Sequence, residues 1–394
     1  MQTVYLDYNA TTPLDAEVRE AMLPFLGKVW GNPSSVHHTG RQARALLDEG
    51  RERAAKVLGC KPSEIVFTSG GTESANLAVL GTARRLKAKG RHLITSSVEH
   101  PAVLQCCAYL ARQEGFEVTY LPVNQEGMVS PASLAEAIRP DTVLASVMAA
   151  NNEIGTIQPV AELGAICRER GVLFHTDAVQ WLGKEPFGDV HQFNADLVSI
   201  CAHKIHGPKG AGALFIRSPF QPDPILFGGS HENERRAGTE NLAGIIGLVE
   251  AMERFIHPPV FNKERLAPLA DRLLRLVDQL PGVQFVGSRR QRLTNTVSFL
   301  APGCDSIALL AGLDMEGIRA SSGSACSAGS LEPSHVIQAL RLPEPASNSL
   351  VRFSLGRDSI LQEVEYVEET LPEVIRRARK QPANLFCAGL HACR

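Results

Sequence analysis

From residue 64 to residue 217 the chain alternates short apolar runs with stretches of helical spacing. The runs read EIVFTS (64–69), HLITSS (92–97), EVTYL (117–121), TVLASVM (142–148), GVLFHTD (171–177), ADLVSIC (195–201) and GALFIR (212–217). Those that are apolar nearly throughout lack the polar alternation of a half-exposed sheet, which predicts strands covered on both faces. Between runs the apolar residues recur at helical spacing, as Leu77, Leu80, Ala83 and Leu86 do after the first. Such alternation predicts an α/β layered domain, mainly parallel, with crossover helices on both faces. Ligands of these sheets bind beyond the carboxyl ends of the strands, so the polar residues just past each run are the ones to inspect.

Around His257-Pro258-Pro259 the pattern changes. A helix follows with Leu266, Leu269, Ala270, Leu273, Leu274, Val277 and Leu280 on one face. Strand-like TVSFL (296–300) and VRFSL (351–355) come next, then a charged helix near 361–380. The expected organisation is a large domain over 15–258 and a smaller α+β domain formed by 1–14 with 259–394. Hydrophobic residues make up 44% and charged residues 21% of the chain, which excludes disorder and collagen-like architecture. A formal charge of −2 leaves no basic footprint for nucleic acid and no polybasic membrane patch. No apolar run reaches the length of a membrane span, and the opening residues carry no basic-then-apolar leader. Nine cysteines without paired spacing favour reduced thiols over a disulfide framework, so a cytoplasmic location is expected.

Candidate chemistry lies where the runs end. Lys204 follows a buried run and enters a Gly/Pro-rich turn, His203-Lys204-Ile205-His206-Gly207-Pro208; it is either a solvated loop lysine or an amine for a Schiff base. Asp177 closes the preceding run and suits a helix N-cap or a partner for a pyridinium nitrogen. In Thr68-Ser69-Gly70-Gly71-Thr72-Glu73-Ser74 a strand passes through glycines into a helix start, where backbone N–H groups, the Thr72 hydroxyl and the helix dipole can hold a phosphate. An ordinary strand-to-helix turn looks the same. His100 precedes a proline at a helix start, and is a turn cap or a ring for stacking on a flat cofactor. Asn152, in Asn151-Asn152-Glu153-Ile154-Gly155, is a turn residue or a donor to a phenolic oxygen or substrate carboxylate. Taken together these supply a phosphate cup, a stacking ring, a pyridinium partner and a Schiff-base lysine, the kit for pyridoxal 5'-phosphate. Farther on, Cys326 stands among small polar residues rather than in an apolar run, and is either incidental or a reactive thiol. Arg352 in a strand-like run suits bidentate capture of a carboxylate. Cys387, His391 and Cys393 match no zinc spacing, so no metal is expected.

The chain resembles the cysteine desulfurases, fold type I pyridoxal-phosphate enzymes related to the class V aminotransferases, and within them the nitrogen-fixation and housekeeping iron–sulfur-cluster branch. The resemblance rests on Tyr5-Leu6-Asp7-Tyr8-Asn9-Ala10-Thr11-Thr12, Gly31-Asn32-Pro33-Ser34-Ser35, Ser69-Gly70-Gly71-Thr72-Glu73-Ser74, Val98-Glu99-His100 and Asn151-Asn152-Glu153-Ile154-Gly155. It continues through His203-Lys204, Gly207-Pro208-Lys209-Gly210, Ser321-Ser322-Gly323-Ser324-Ala325-Cys326, Ser330-Leu331-Glu332-Pro333-Ser334-His335 and Arg352-Phe353-Ser354-Leu355-Gly356-Arg357. It departs at Ala202, where many members have glycine, and over Gly228–Glu234. The resemblance implies a mainly parallel seven-stranded sheet with helices on both faces plus a smaller α+β domain. It implies that Lys204 holds the cofactor, Asp177 pairs with its ring nitrogen, Gln180 bonds its ring oxygen and His100 stacks on it. Gly71, Thr72, Cys201 and His203 would lie at the phosphate, and Thr239 would reach the phosphate of a partner subunit in a homodimer. The implied reaction turns L-cysteine into L-alanine with a persulfide on Cys326, passed to a sulfur acceptor or an iron–sulfur scaffold protein. Selenocysteine lyase and aminotransferase activities are the alternatives within the fold; a non-catalytic assembly partner is the alternative outside the enzymes.

Overall fold

The computed structural model describes residues 3–323, 333–342 and 348–380. Twelve strands are described: β1 (Val4–Tyr5), β2 (Ile65–Thr68), β3 (His92–Ser96), β4 (Glu117–Leu121), β5 (Thr142–Ser146), β6 (Leu173–Asp177), β7 (Leu197–Cys201), β8 (Gly212–Ile216), β9 (Gln284–Val286), β10 (Thr296–Leu300), β11 (Ile318–Arg319) and β12 (Leu350–Ser354). Seven form one sheet in the order β2-β8-β7-β6-β5-β3-β4. All its pairings are parallel except those of β8, which runs antiparallel to both β2 and β7. β2 and β7 therefore point the same way, and six strands share one carboxyl edge.

The near-continuous apolar runs are explained by two buried faces. Along β2, Ile65 and Phe67 enter one apolar cluster while Val66 enters the other, and in β8 Phe215 and Leu214 divide likewise. The first cluster is closed by the helices His38–Leu58, Val160–Glu169 and Leu242–Phe255, the second by the helical stretch from Gly71 to Leu86 and by Pro101–Gln113. Each large aliphatic side chain so buried contributes about 1.5–3 kcal/mol. Only β4, at the edge, keeps a mixed burial pattern, with Glu117 and Tyr120 exposed.

A third cluster collects Val4, Leu6 and Tyr8 with Leu266, Leu269, Leu273 and Val277 of the helix Lys263–Gln279, and with Val364, Val367 and Leu371 of the helix Leu361–Lys380. These pack on an antiparallel sheet of order β12-β10-β9, while β1 pairs in parallel with β11. The segment after β1 then crosses to the large sheet, where Thr12 N–H donates to the His203 carbonyl and Asp15 N–H to that of His206. This crossing carries residues 9–12 over the carboxyl edge. Among the described residues no helix is long and apolar enough to cross a membrane, and no group of His, Cys, Asp and Glu could hold a metal.

Candidate active site

Neighbouring strands deliver the polar residues to one place. β7 ends at Cys201 and passes into a tight turn in which the Ile205 and Gly207 N–H groups both donate to the Ala202 carbonyl. Lys204 leaves that turn, and its Nζ donates to the carbonyls of Asn9 (2.6 Å) and Ala10 (2.7 Å). Burial lowers the amine below its usual value.

β6 ends at Asp177. Its Oδ1 accepts the Val179 N–H at 3.0 Å; no helix follows, so this bond closes a turn rather than capping a helix. Burial lifts this carboxyl to about 6, against the opposing effects of that bond and of the Lys204 charge. Three residues on, Gln180 donates from Nε2 to the Asn9 carbonyl at 2.9 Å.

β3 leads to His100, which caps the helix Pro101–Gln113: Nδ1 accepts the Ala102 N–H at 3.1 Å. Accepting there leaves the proton of the neutral ring on Nε2. Burial, and then the charges of Lys204 and His335, hold the ring down at about 4, so it is neutral at pH 7. Glu99 beside it is fully buried and pushed up to about 8 by burial, hence neutral as well. Its Oε1 accepts from Ser96 Oγ and from the Met148 N–H, and its carbonyl accepts from His335 Nε2 at 2.8 Å.

After β5, Asn151 makes the turn, with its Oδ1 accepting the Glu153 and Ile154 N–H groups. Asn152 contributes its carbonyl, which accepts from Arg352 Nη1 (2.8 Å) and Asn9 Nδ2 (3.2 Å). Arg352, on β12, is 1% exposed. It also donates to Asp7 Oδ1 (2.6 Å) and to the Gly323 carbonyl (2.6 Å), while its buried Nε has no partner among the described residues. Beyond β2, Gly70 adopts φ +151° and opens the helix Gly71–Asn76, with Thr72 exposed at its first turn. Gly212 of β8 lies under this turn: a Cβ there would stand 2.7 Å from Gly70 Cα. Cys201 is buried and its thiol pushed up; His203 Nδ1 meets Thr11 Oγ1 at 3.1 Å. Thr239 lies on an exposed loop between Arg236 and Asn241. Cys326, Cys387, His391 and Cys393 lie outside the described residues.

The fold thus gathers Lys204, Asp177, Gln180, His100, Asn152, His203 and Arg352 along one sheet edge. Residue-by-residue reading passed over Asn9, Asp7, Glu99 and Lys184. Asn9 is the hub: 1% exposed, it accepts from Gln180 and Lys204 at its carbonyl and from Lys184 and Asn295 at Oδ1, and donates to Thr296 Oγ1. Its partners stand as many as 345 positions away, counting Ser354, so no local signal marks it.

These residues fit pyridoxal phosphate. A buried carboxyl with a raised pKa is complementary to a protonated ring nitrogen, an amine whose pKa is lowered by burial to an aldehyde, and a glycine turn opening a helix to a phosphate. The family model "Aminotransferase class-V" matches residues 4–367. A cysteine desulfurase IscS from Dictyoglomus turgidum is 49% identical over 95% of this chain and 95% of its own length. A solved NifS-like protein aligns with a TM-score of 0.87 at 36% identity, covering 95% of this chain and all of that one. SspA, solved in complex with cysteine, aligns with a TM-score of 0.79 at 36% identity over 91% of this chain and 100% of its own. By full-length similarity and by the site it carries, the chain belongs to the class-V aminotransferase family, among the pyridoxal-phosphate-dependent cysteine desulfurases.

Proposed function

We propose that this protein takes sulfur from L-cysteine onto its own Cys326, releasing L-alanine, and supplies that sulfur to an acceptor such as an iron–sulfur scaffold. The observation that carries the reading is the meeting of the Lys204 amine, the buried Asp177 carboxyl and the neutral His100 ring at one carboxyl edge. When bound, pyridoxal phosphate supplies an electron sink for the pair left at the substrate Cα. Lys204, its amine lowered by burial, moves the proton at that carbon. Asp177 keeps a proton on the ring nitrogen, Gln180 bonds the ring oxygen and His100 stacks on the ring. Gly71, Thr72, Cys201 and His203 hold the phosphate. Arg352, aided by Asn152, orients the substrate carboxylate.

The sulfur step balances without an outside oxidant. Cys326 sulfur attacks the substrate sulfur; an S–S bond forms and the C–S bond breaks with its electron pair left on carbon. Carbon is reduced, the enzyme thiol is oxidised to the persulfide level, and the thiol proton ends on alanine. Thr239, exposed on its loop, serves the phosphate of a second copy in a homodimer. The separate apolar cluster that unites Val4 and Leu6 with the helices after residue 259 supports a division into 15–258 and 1–14 with 259–394, in a cytoplasmic enzyme.

The test is mass spectrometry of the purified protein after L-cysteine, with alanine measured alongside. A 32 Da addition at Cys326 and equimolar alanine are expected, about the mass of one sulfur. Cys326→Ala should keep the yellow cofactor yet form no persulfide. Undiminished sulfur delivery to an acceptor protein by that variant overturns the role of Cys326.

A further inference from the structure

Gln180 and Lys184 stand four residues apart in the turns after β6, and both are buried. Gly183 makes this possible: its φ is +74°, and a Cβ there would stand 2.6 Å from Ile205 Cγ2. The chain reverses tightly at that point, and the Lys184 amine turns inward rather than to solvent. There it donates to Gln180 Oε1 and, at 2.6 Å, to Asn9 Oδ1, over the Phe261 ring at 5.1 Å from its centroid. Burial, then the charges of Lys204 and Arg352, push it well below 10.5. Even unprotonated it keeps the two N–H bonds that these acceptors use.

A buried lysine costs free energy unless its donors are used, and here both acceptors lead to the cofactor residues. A glutamine amide can be turned end for end unless each end has a dedicated partner. At Gln180 the oxygen faces Lys184 and the nitrogen faces the Asn9 carbonyl. The second N–H of that nitrogen is then available to a ring oxygen. The same Asn9 carbonyl receives the Lys204 amine, so Lys184, Gln180, Asn9 and Lys204 form one chain of hydrogen bonds. We propose that Lys184 is a positioning residue for the cofactor: it locks the Gln180 amide with its donors outward and, through Asn9, fixes the carbonyl on which the Lys204 amine rests.

This inference builds on the roles proposed above for Gln180 and Lys204. It is tested in the full-length protein by titrating apo-enzyme with pyridoxal phosphate and following the pH at which the bound chromophore changes colour. Lys184→Met should weaken cofactor binding about fivefold, the worth of one hydrogen bond of about 1 kcal/mol, and should shift that transition. Because Lys184 acts in part through Gln180, the double variant with Gln180→Ala should lose less affinity than the product of the two single losses. Lys184→Ala, which leaves room for water, is read the same way if Lys184→Met is insoluble. Wild-type affinity and colour in these Lys184 variants, or losses that simply multiply in the double variant, overturn the proposal. Wild-type protein that takes up no pyridoxal phosphate instead overturns the reading of the site itself.

Discussion

At Asp177 one side chain both closes a turn and carries the role proposed for it at the cofactor ring. Its bond to the Val179 N–H aims the carboxyl, and burial raises its pKa from 3.8 to about 6. The folded protein therefore holds this proton more tightly than the unfolded chain. Without cofactor, the contribution costs nothing below pH 3.8, grows as pH rises toward 6, and amounts to at most about 3 kcal/mol above it. A pyridinium nitrogen removes that cost by supplying the missing cation. Asp177→Asn keeps an acceptor for the Val179 N–H and deletes the charge. At pH 8 it should raise the thermal midpoint of the apo-protein while weakening cofactor affinity at least about tenfold. A melt and a cofactor titration on the same preparation check both, and a lower apo midpoint contradicts the account.

Elements matter through where they stop. Strands β2, β3, β5, β6 and β7 each end within a few residues of a candidate group, because the hydrogen-bonded ladder gives out there and side chains turn to the edge. The phosphate turn depends on two strands at once. In Gly212→Ala the new Cβ would meet Gly70 Cα and the Ile200 carbonyl oxygen, each at 2.7 Å. Both are backbone, so neither yields without moving the turn. The expected loss is about 1–3 kcal/mol, with weaker cofactor binding as well. Urea midpoints and cofactor titration measure the two effects; a stable variant with normal affinity would mean that the turn relaxes freely.

For the whole molecule, the buried ionisable groups set the pH range of stability. His100, His203 and His206 are held near 4 and His175 near 3, each first of all by burial. The unfolded chain protonates them below about 6.5 and the folded chain does not, so stability falls as pH drops from there. Asp177 and Glu99 work in the opposite direction, since the folded state keeps their protons up to about 6 and about 8. Glu185, Asp196 and Glu363 are raised in the same sense as these two, and His92 is lowered in the same sense as the four imidazoles. Between pH 5 and 6 the four strongly lowered imidazoles should leave the unfolded apo-protein binding more protons than the folded one, and stability should rise with pH. Toward pH 8 Glu99 lowers stability while the lowered Lys184 and Lys204 amines act in the opposite direction, so the predicted rise belongs to the range below about 6.5. Urea midpoints at several pH values check this; a maximum near pH 5 contradicts it.

Much of this was legible in one dimension. Near-continuous apolar runs can be buried only between two layers, so the strand count and the α/β layering followed from pattern alone, as did the helices Lys263–Gln279 and Leu361–Lys380. Lys204, Asp177 and His100 were legible because each directly follows an apolar run, and in a parallel sheet that position is the ligand edge. The sequence left two readings open at Asp177 and His100; the structure contains the helix-capping bond at His100, while Asp177 closes a turn through the Val179 N–H with no helix after it. What the chain alone did not disclose is the interior company these residues keep. Asn9, Asp7, Glu99 and Lys184 sit in stretches that look like ordinary turns, and their importance lies in contacts between segments far apart along the chain. Periodicity records which side of an element is apolar, a local property. Which carbonyl receives a lysine, and which buried amine holds an amide in place, depends on how distant segments meet, and only folding settles that.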